Sequence, residues 1–288
     1  MSRRRRRAPR AVSVSISVEP ALQVVRLEFT VPAGSDRVSV QRVGPSGTPA
    51  YVRGFQDAPT FPGPLVVRDF EAPIGVPLVY TVQVWQDATP EIVDSGSASI
   101  EIPDGGCDDT WLTDLLRPTN TQRLTLEGLD ELSYSIPVGV HEILGRRAPI
   151  TSSDIANAPT FELGLLTESD DARLRARSTL GNGIPVLLRT PPANGIGSLY
   201  FAVTGYREQR IVKPAREDDR VWKVSAVQVT RPDPALYTPE PPATYAAVAA
   251  TFASYADLAA EHPTYDAVLY DYSLAQPADV IGWPPTDV

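Results

Sequence analysis

Between Val12 and Ile102 apolar and polar residues alternate in short runs, and a period of two restricts this stretch to half-buried β-structure. Val12, Val14, Ile16 and Val18 form one run, and Val25, Leu27, Phe29 and Val31 a second. Val38 and Val40, then Tyr51 and Val52, continue it, and 66–70, 78–86 and 92–102 supply the last three strands. Pro45-Ser46-Gly47 and Pro62-Gly63-Pro64 punctuate the runs as turns. About seven short strands at this spacing predict a β-sandwich over 11–103. The 29 prolines fall mostly between apolar runs, which favours short strands and stiff connections over long helices.

Within that stretch, Asp69-Phe70-Glu71-Ala72-Pro73-Ile74-Gly75 leading to Tyr80-Thr81-Val82-Gln83-Val84 resembles the turn and penultimate strand of fibronectin type III domains, with Tyr80 in the tyrosine-corner role. The tryptophan of an early strand is missing and Trp85 comes late, so another immunoglobulin-like variant stays open. Asp104-Gly105-Gly106 reads as a joint, and 104–110 as the linker to a second domain over 111–232.

In the second domain, Trp111 to Leu116 reads as one helical turn or an anchoring segment stopped by Pro118. Trp111 is a candidate to pack in its own domain or to dock on a neighbour. Gln122–Leu126 and Leu132–Val138 read as strands that extend a sheet or reach an adjacent subunit. From Phe161 to Thr230 the pattern is strand, helix, glycine turn and three further strands. Thr167 with Asp170 makes a capping-box pattern, Glu168, Asp170 and Asp171 sit at the positive helix end, and Arg173, Arg175 and Arg177 follow. The helix should stop after Leu180, at Gly181-Asn182-Gly183. Gly181 and Gly183 follow a helix, whereas a phosphate loop opens one; Gly195-Ile196-Gly197 runs from strand to strand, so neither is a nucleotide fingerprint.

Past Val229 a proline-rich connector, Arg231-Pro232-Asp233-Pro234 and Pro239-Glu240-Pro241-Pro242, leads to an arm over 233–288 with a true repeat. Thr244-Tyr245-Ala246-Ala247-Val248, Ser254-Tyr255-Ala256-Asp257-Leu258 and Thr264-Tyr265-Asp266-Ala267-Val268 recur every ten residues. Ten residues turn a helix through about 1000°, some 80° short of three turns, so one straight helix would scatter the tyrosines. Short helices capped by Thr244, Ser254 and Thr264 fit better, each with a Tyr beside Val248, Leu258 or Val268. Such an arm either covers its own domain or lies on a neighbouring subunit. Tyr245, Tyr255, Tyr265 and Trp283 are therefore candidate interface residues, with Tyr270 and Tyr272 as further aromatics.

The formal charge of −9 argues against a nucleic-acid-binding surface as a whole. The basic tail over 1–10, with Arg3, Arg4, Arg5, Arg6 and Arg7, is a solvated like-charge block or a contact for nucleic acid or an acidic partner. No aromatic is interleaved to stack a base, which favours the acidic partner. The tail has no apolar core behind it, so it is not expected to be a signal peptide, and no run is long enough to span a bilayer. Cys107 is the one cysteine, which excludes an internal disulfide, and its aspartate neighbours disfavour a thiolate nucleophile. His141 and His262 do not fall in a metal-ligand spacing. The pairs Asp108-Asp109, Asp170-Asp171 and Asp218-Asp219 point apart on a helix or strand, and no Gly-x-Ser-x-Gly elbow is present. The expectation is no enzyme, no metal and no cofactor.

Four runs together resemble the minor tail proteins of long-tailed bacteriophages, most of all those infecting high-GC Gram-positive bacteria. They are Leu144-Gly145-Arg146-Arg147-Ala148-Pro149-Ile150, Phe161-Glu162-Leu163-Gly164-Leu165-Leu166-Thr167-Glu168, Pro185-Val186-Leu187-Leu188-Arg189-Thr190-Pro191-Pro192 and Gly197-Ser198-Leu199-Tyr200-Phe201. The resemblance covers about 107–288. It implies a β-rich α+β domain of the distal-tail type with one helix; with the immunoglobulin- or fibronectin-like sandwich and the short helical C-terminal arm read above, the expected chain is mainly β. It also implies a structural role at the tail tip of a virion, after synthesis in the host cytoplasm. The partners it implies are other copies, as a ring, and tail tube or hub proteins. The alternative is a module that binds a host-surface glycan through the sandwich, for which Tyr51, Phe55 and Phe61 are the aromatic candidates.

Overall fold

The computed structural model describes residues 10–86, 89–106, 109–141, 150–211, 219–233, 248, 252 and 254–261. The chain is mainly β. Its first part packs two sheets face to face. One is β2-β3-β7, formed by Val14–Glu19, Val24–Val31 and Gly63–Asp69; every pair in it is antiparallel. The other runs β1-β9-β8-β4-β5, from Arg10–Ala11, Thr89–Glu101, Pro77–Gln86, Arg37–Val43 and Pro49–Tyr51, with the short β6, Ala58–Pro59, also on β4. The alternating residues face inward from both sheets: Val25, Leu27 and Phe29 from β3, Val38 and Val40 from β4, and Leu78, Tyr80, Val82 and Val84 from β8 share one core. Val12 carries the chain across, because β1 pairs with β9 in one sheet and β2 with β3 in the other.

The second part is a closed antiparallel barrel, in the order β10-β11-β14-β17-β16-β15. Its strands are β10 Thr110–Asp114, β11 Gln122–Ser133, β14 Thr160–Thr167, β15 Val186–Arg189, β16 Ser198–Arg210 and β17 Arg220–Gln228. Leu163, Leu165, Leu188, Phe201, Trp222 and Val224 fill its interior, with Phe161 edge-on to Phe201 at 5.9 Å. Closure leaves the barrel without a free edge. The helix α1, Asp170–Gly181, joins β14 to β15 and lays Ala176 and Leu180 on the barrel core. Gln122, with its side-chain amide turned to suit both neighbours, donates to the Ala172 carbonyl and accepts from the Ala176 N–H, tying α1 to β11.

Several expectations need correction. The segment from Trp111 is not a helical turn: it is β10, paired with β11 on one side and β15 on the other, and so it closes the barrel. The helix is capped by Ser169, whose Oγ accepts from the Ala172 N–H at 3.2 Å, and not by Thr167. Thr167 is held in β14, where it pairs with Arg220 and its Oγ1 accepts the Trp222 indole N–H at 3.1 Å. The chain runs through Gly205 as one strand, β16, with an irregularity between Val203 and Gly205. Likewise Gln122 and Leu132 lie on one strand, β11.

Between β11 and β14 the chain leaves the barrel as a two-stranded ribbon, β12 Val138–His141 against β13 Ile150–Ser153. Asp154 N–H to the Pro137 carbonyl and Asn157 N–H to the Ser135 carbonyl continue the pairing toward the barrel. In the C-terminal arm the described helix is α2, Tyr255–Glu261.

Candidate functional site

A cluster of buried charged side chains lies where the sandwich meets the barrel. It begins with the register of β10 and β15. Trp111 stands opposite Arg189, and both side chains point out of the barrel, because Leu112 and Leu188 beside them point in. Trp111 joins the core of the sandwich and gives its indole N–H to Asp109 Oδ1 at 2.9 Å. Arg189 is fully buried; it donates to the carbonyls of Gln23 at 2.7 Å, Leu22 at 3.1 Å and Ala72 at 3.2 Å, all on the sandwich. Gly75, at φ +64°, lets the turn before β8 approach Pro192, whose Cδ would lie 3.0 Å from an added Cβ.

Two buried carboxylates organise the rest. Asp69, on the inner face of β7, accepts Arg42 Nη1 on both oxygens at 2.6 Å and the Tyr80 hydroxyl at 2.8 Å. Glu71 accepts from Arg53 at 2.7 Å, from Arg231 at 2.5 Å and from the Tyr200 hydroxyl at 3.1 Å. Arg231 also donates to the Tyr51 carbonyl at 2.7 Å, and Arg53 to the carbonyls of Pro232 at 3.1 Å and Asp233 at 3.2 Å. The segment that leaves β17 is thereby clamped to the sandwich. Of these ion pairs Arg231–Glu71 joins the two halves of the chain, whereas Arg42–Asp69 and Arg53–Glu71 lie within the sandwich, and burial makes each hard to break.

The electrostatics follow from crowding. Burial pushes the Glu71 carboxyl up, but the Arg231 hydrogen bond and the charges of Arg231, Arg53 and Arg42 outweigh it and hold Glu71 at about 2. Burial lowers Arg189 to about 10, Asp69 opposing it. Tyr80 and Tyr200 are pushed up by burial, helped by Asp69 and by Glu71 respectively, so both hydroxyls remain donors. A carboxylate held ionised beside protonated phenols and charged guanidiniums neither gives nor takes a proton near neutral pH. The cluster fastens two β cores together; it is not arranged for catalysis.

The residues singled out from sequence fall elsewhere. Trp111 is 6% exposed, so its indole is committed inside the chain and is closed to a neighbouring subunit. Tyr255 is 82% exposed on α2. Tyr245, Tyr265, Trp283 and Arg3, Arg4, Arg5, Arg6 and Arg7 lie outside the described residues. Asp170 and Asp171 pair with Arg173 and Arg175 along α1. Of the three aromatics considered for sugar stacking, Phe55 is buried, Tyr51 half-buried and Phe61 exposed. An open groove of about 510 Å³ on the sandwich is lined by residues such as Val43, Pro45, Pro77, Val79, Ile100 and Glu101, with no aromatic among its lining residues. Among the described residues no three metal-ligating side chains come together, and no helix is long and apolar enough to cross a membrane.

No protein-family model matches the chain, and no curated protein matches it in sequence. Among solved structures it is similar to the Dit protein (gp 19.1) of SPP1, described as a paradigm of the hub adsorption apparatus in phages infecting Gram-positive bacteria, at 14% identity and a TM-score of 0.31. That match covers 43% of this chain and 50% of the other, so it spans about half the neighbour's length. A score of that size does not establish a shared fold.

Sequence reasoning missed Arg42, Arg53, Asp69, Glu71, Arg189, Tyr200 and Arg231 as a set. The one local signal was Asp69 and Glu71 on either side of Phe70, just ahead of Tyr80. Buried carboxylates need cations, and this chain supplies them from far along its length.

Proposed function

We propose that this chain is a structural component of a bacteriophage tail tip, of the minor-tail or distal-tail type, resident in the virion after synthesis in the host cytoplasm. It associates with copies of itself as a ring and with tail tube or hub proteins, and it performs no chemistry. The four residue runs between Leu144 and Phe201 that resemble such proteins motivate the reading. The observation that carries it is mechanical: the Arg231–Glu71 ion pair and the buried Arg189 guanidinium fasten two β cores together, while exposed apolar residues between Leu132 and Val140 stand outside both. A rigid body with a face made to be covered is what repeated subunit contacts require. The sandwich we read as fibronectin type III-like, because a three-stranded sheet β2-β3-β7 faces β9-β8-β4-β5.

The test is the mass of the purified chain by light scattering across a range of concentrations, repeated on a chain ending at Glu240. An oligomer that dissociates on truncation is expected. A monomer at every concentration would remove self-assembly from the reading.

A further inference from the structure

Two Asn-Gly dipeptides occur in the chain, Asn182-Gly183 and Asn194-Gly195. Asparagine is a thermolabile residue, most of all before glycine, which puts no Cβ beside the backbone nitrogen that attacks the side-chain amide. The structure sets the two apart. Asn194 is half-buried, and the Gly195 N–H is engaged by the Pro192 carbonyl at 3.0 Å. Asn182 and Gly183 are both exposed. Among the described residues no hydrogen bond engages the Gly183 N–H, and a Cβ built on Gly183 would meet nothing within 4 Å.

The side chain of Asn182 is held at both ends. Its Oδ1 accepts the Ile184 N–H at 2.8 Å, an Asx turn that folds the side chain back over the Gly183 peptide. That donor polarises Cγ and stabilises the negative charge that develops on Oδ1 when a nucleophile adds. The Nδ2 group donates to Asp114 Oδ2 at 2.9 Å. Asp114 is 1% exposed and ends β10, and its Oδ1 accepts the N–H groups of Leu116 at 2.9 Å and Arg117 at 3.1 Å. This one pair of side chains ties the end of α1 to the strand that closes the barrel.

We propose that Asn182-Gly183 is a spontaneous deamidation site, and that its conversion to aspartate or isoaspartate unseats the end of α1 from β10. The Gly183 nitrogen loses its proton to hydroxide and bonds to Asn182 Cγ. The Cγ–Nδ2 bond breaks, Nδ2 takes a proton from water and leaves as ammonia, and a cyclic imide closes. Water then opens the ring at either carbonyl, which leaves aspartate or isoaspartate. Ring closure needs Asn182 to leave its helical ψ of −10°, a rotation open to a residue at a fraying helix end. The product sets a carboxylate where Nδ2 meets Asp114, and two carboxylates so close repel. Burial already pushes the Asp114 carboxyl up, against the bonds from Arg117, Leu116 and Asn182. Two backbone N–H groups hold Asp114 in place, so the exposed partner at 182 is the one that moves away. The inference is independent of the assembly reading.

The experiment ages the full chain in warm, mildly alkaline buffer and digests it with trypsin. Cleavage after Arg177, Arg189 and Arg207 puts the two dipeptides in separate peptides. Mass spectrometry follows the gain of about 1 Da in each, and enzymatic methylation identifies isoaspartate. In the folded chain Asn182 should convert about tenfold faster than Asn194, whereas in guanidinium the two rates should agree within about twofold. Equal rates in the folded chain, or a faster Asn194, overturn the site. Asn182→Asp supplies the product carboxylate directly. By hydrogen exchange the amides of Leu180, Gly181 and Ile184 should lose protection about tenfold, while those of Leu116 and Arg117 keep theirs. Asp114→Asn together with Asn182→Asp exchanges the partners, restores one amide against one carboxylate, and should return that protection. Unchanged protection in the single variant, or a double variant as loose as the single, overturns the release of α1 by charge and leaves the modification site to the rate comparison.

Discussion

Glu71 shows how one side chain can set the stability of a domain junction. Its folded pKa, about 2, lies below the ordinary 4.5. The stabilisation it supplies is therefore fully present above about pH 4.5 and is lost as the pH falls through about 2. A shift of that size corresponds to roughly 3 kcal/mol at neutral pH. Glu71→Gln should cost about 3–5 kcal/mol at pH 7, because Arg53 and Arg231 would stay buried without their countercharge. Urea unfolding at a series of pH values checks this: the gap between wild type and variant should narrow steadily from pH 5 to pH 2. A gap independent of pH would mean that the carboxylate is not what holds the junction. None of this was legible beforehand. Glu71 is 160 residues from Arg231, and its hydrogen bonds run between segments that no local pattern relates. Sequence reading sees periodicity and spacing, and a buried ion pair of this kind has neither.

At the scale of elements, the crossing of the chain between the two sandwich sheets depends on Gly96. The strand β1 lies parallel on β9, with Ala11 opposite Ser95 and the Val12 N–H on the Ser95 carbonyl at 3.0 Å. A Cβ at position 96 would stand 2.1 Å from the Val12 carbonyl oxygen, which is backbone and cannot rotate away. Gly96→Ala should therefore detach 10–12 from β9 at a cost of about 1–3 kcal/mol. By hydrogen exchange, the Val12 amide should lose its protection while the amides of β3 and β8 keep theirs. Retained protection at Val12 would show that β9 can shift instead. The strands around this crossing were readable from the sequence because each buries one face, so period two survives in Val25 to Val31 and in Leu78 to Val84. The barrel was harder. All five residues of β10 are buried, which removes the alternation, and its partners 122–124 and 186–189 are remote in sequence. Thr167 and Ser169 are equally plausible caps by residue type; the ladder to β17, which holds Thr167 in β14, decides between them. Of the interface candidates, Trp111 carried a real signal, a large aromatic just past a joint, but it anchors the chain's own two halves.

Taken as one molecule, the chain is coupled through that tryptophan. Trp111 belongs to a barrel strand by its backbone and to the sandwich core by its side chain, so neither core is complete without the other. Arg189 repeats the arrangement one strand over, with its backbone in the barrel and its guanidinium on three sandwich carbonyls. Two domains joined only by a linker would unfold separately; two that share a buried side chain and a buried cation should melt together. Calorimetry on the wild-type chain is therefore expected to give one transition. Trp111→Ala removes the shared contact and opens a cavity in the sandwich core, at a cost of about 3–5 kcal/mol. It should also split the melt, with the sandwich transition falling to lower temperature and the barrel, whose own core of Leu163, Phe201 and Trp222 is untouched, close to its former position. Two resolved transitions in the wild type would show that the junction transmits little, and that the chain would flex between its halves. A single transition that splits on removal of one indole would mean that load applied to the barrel reaches the sandwich through a fixed path.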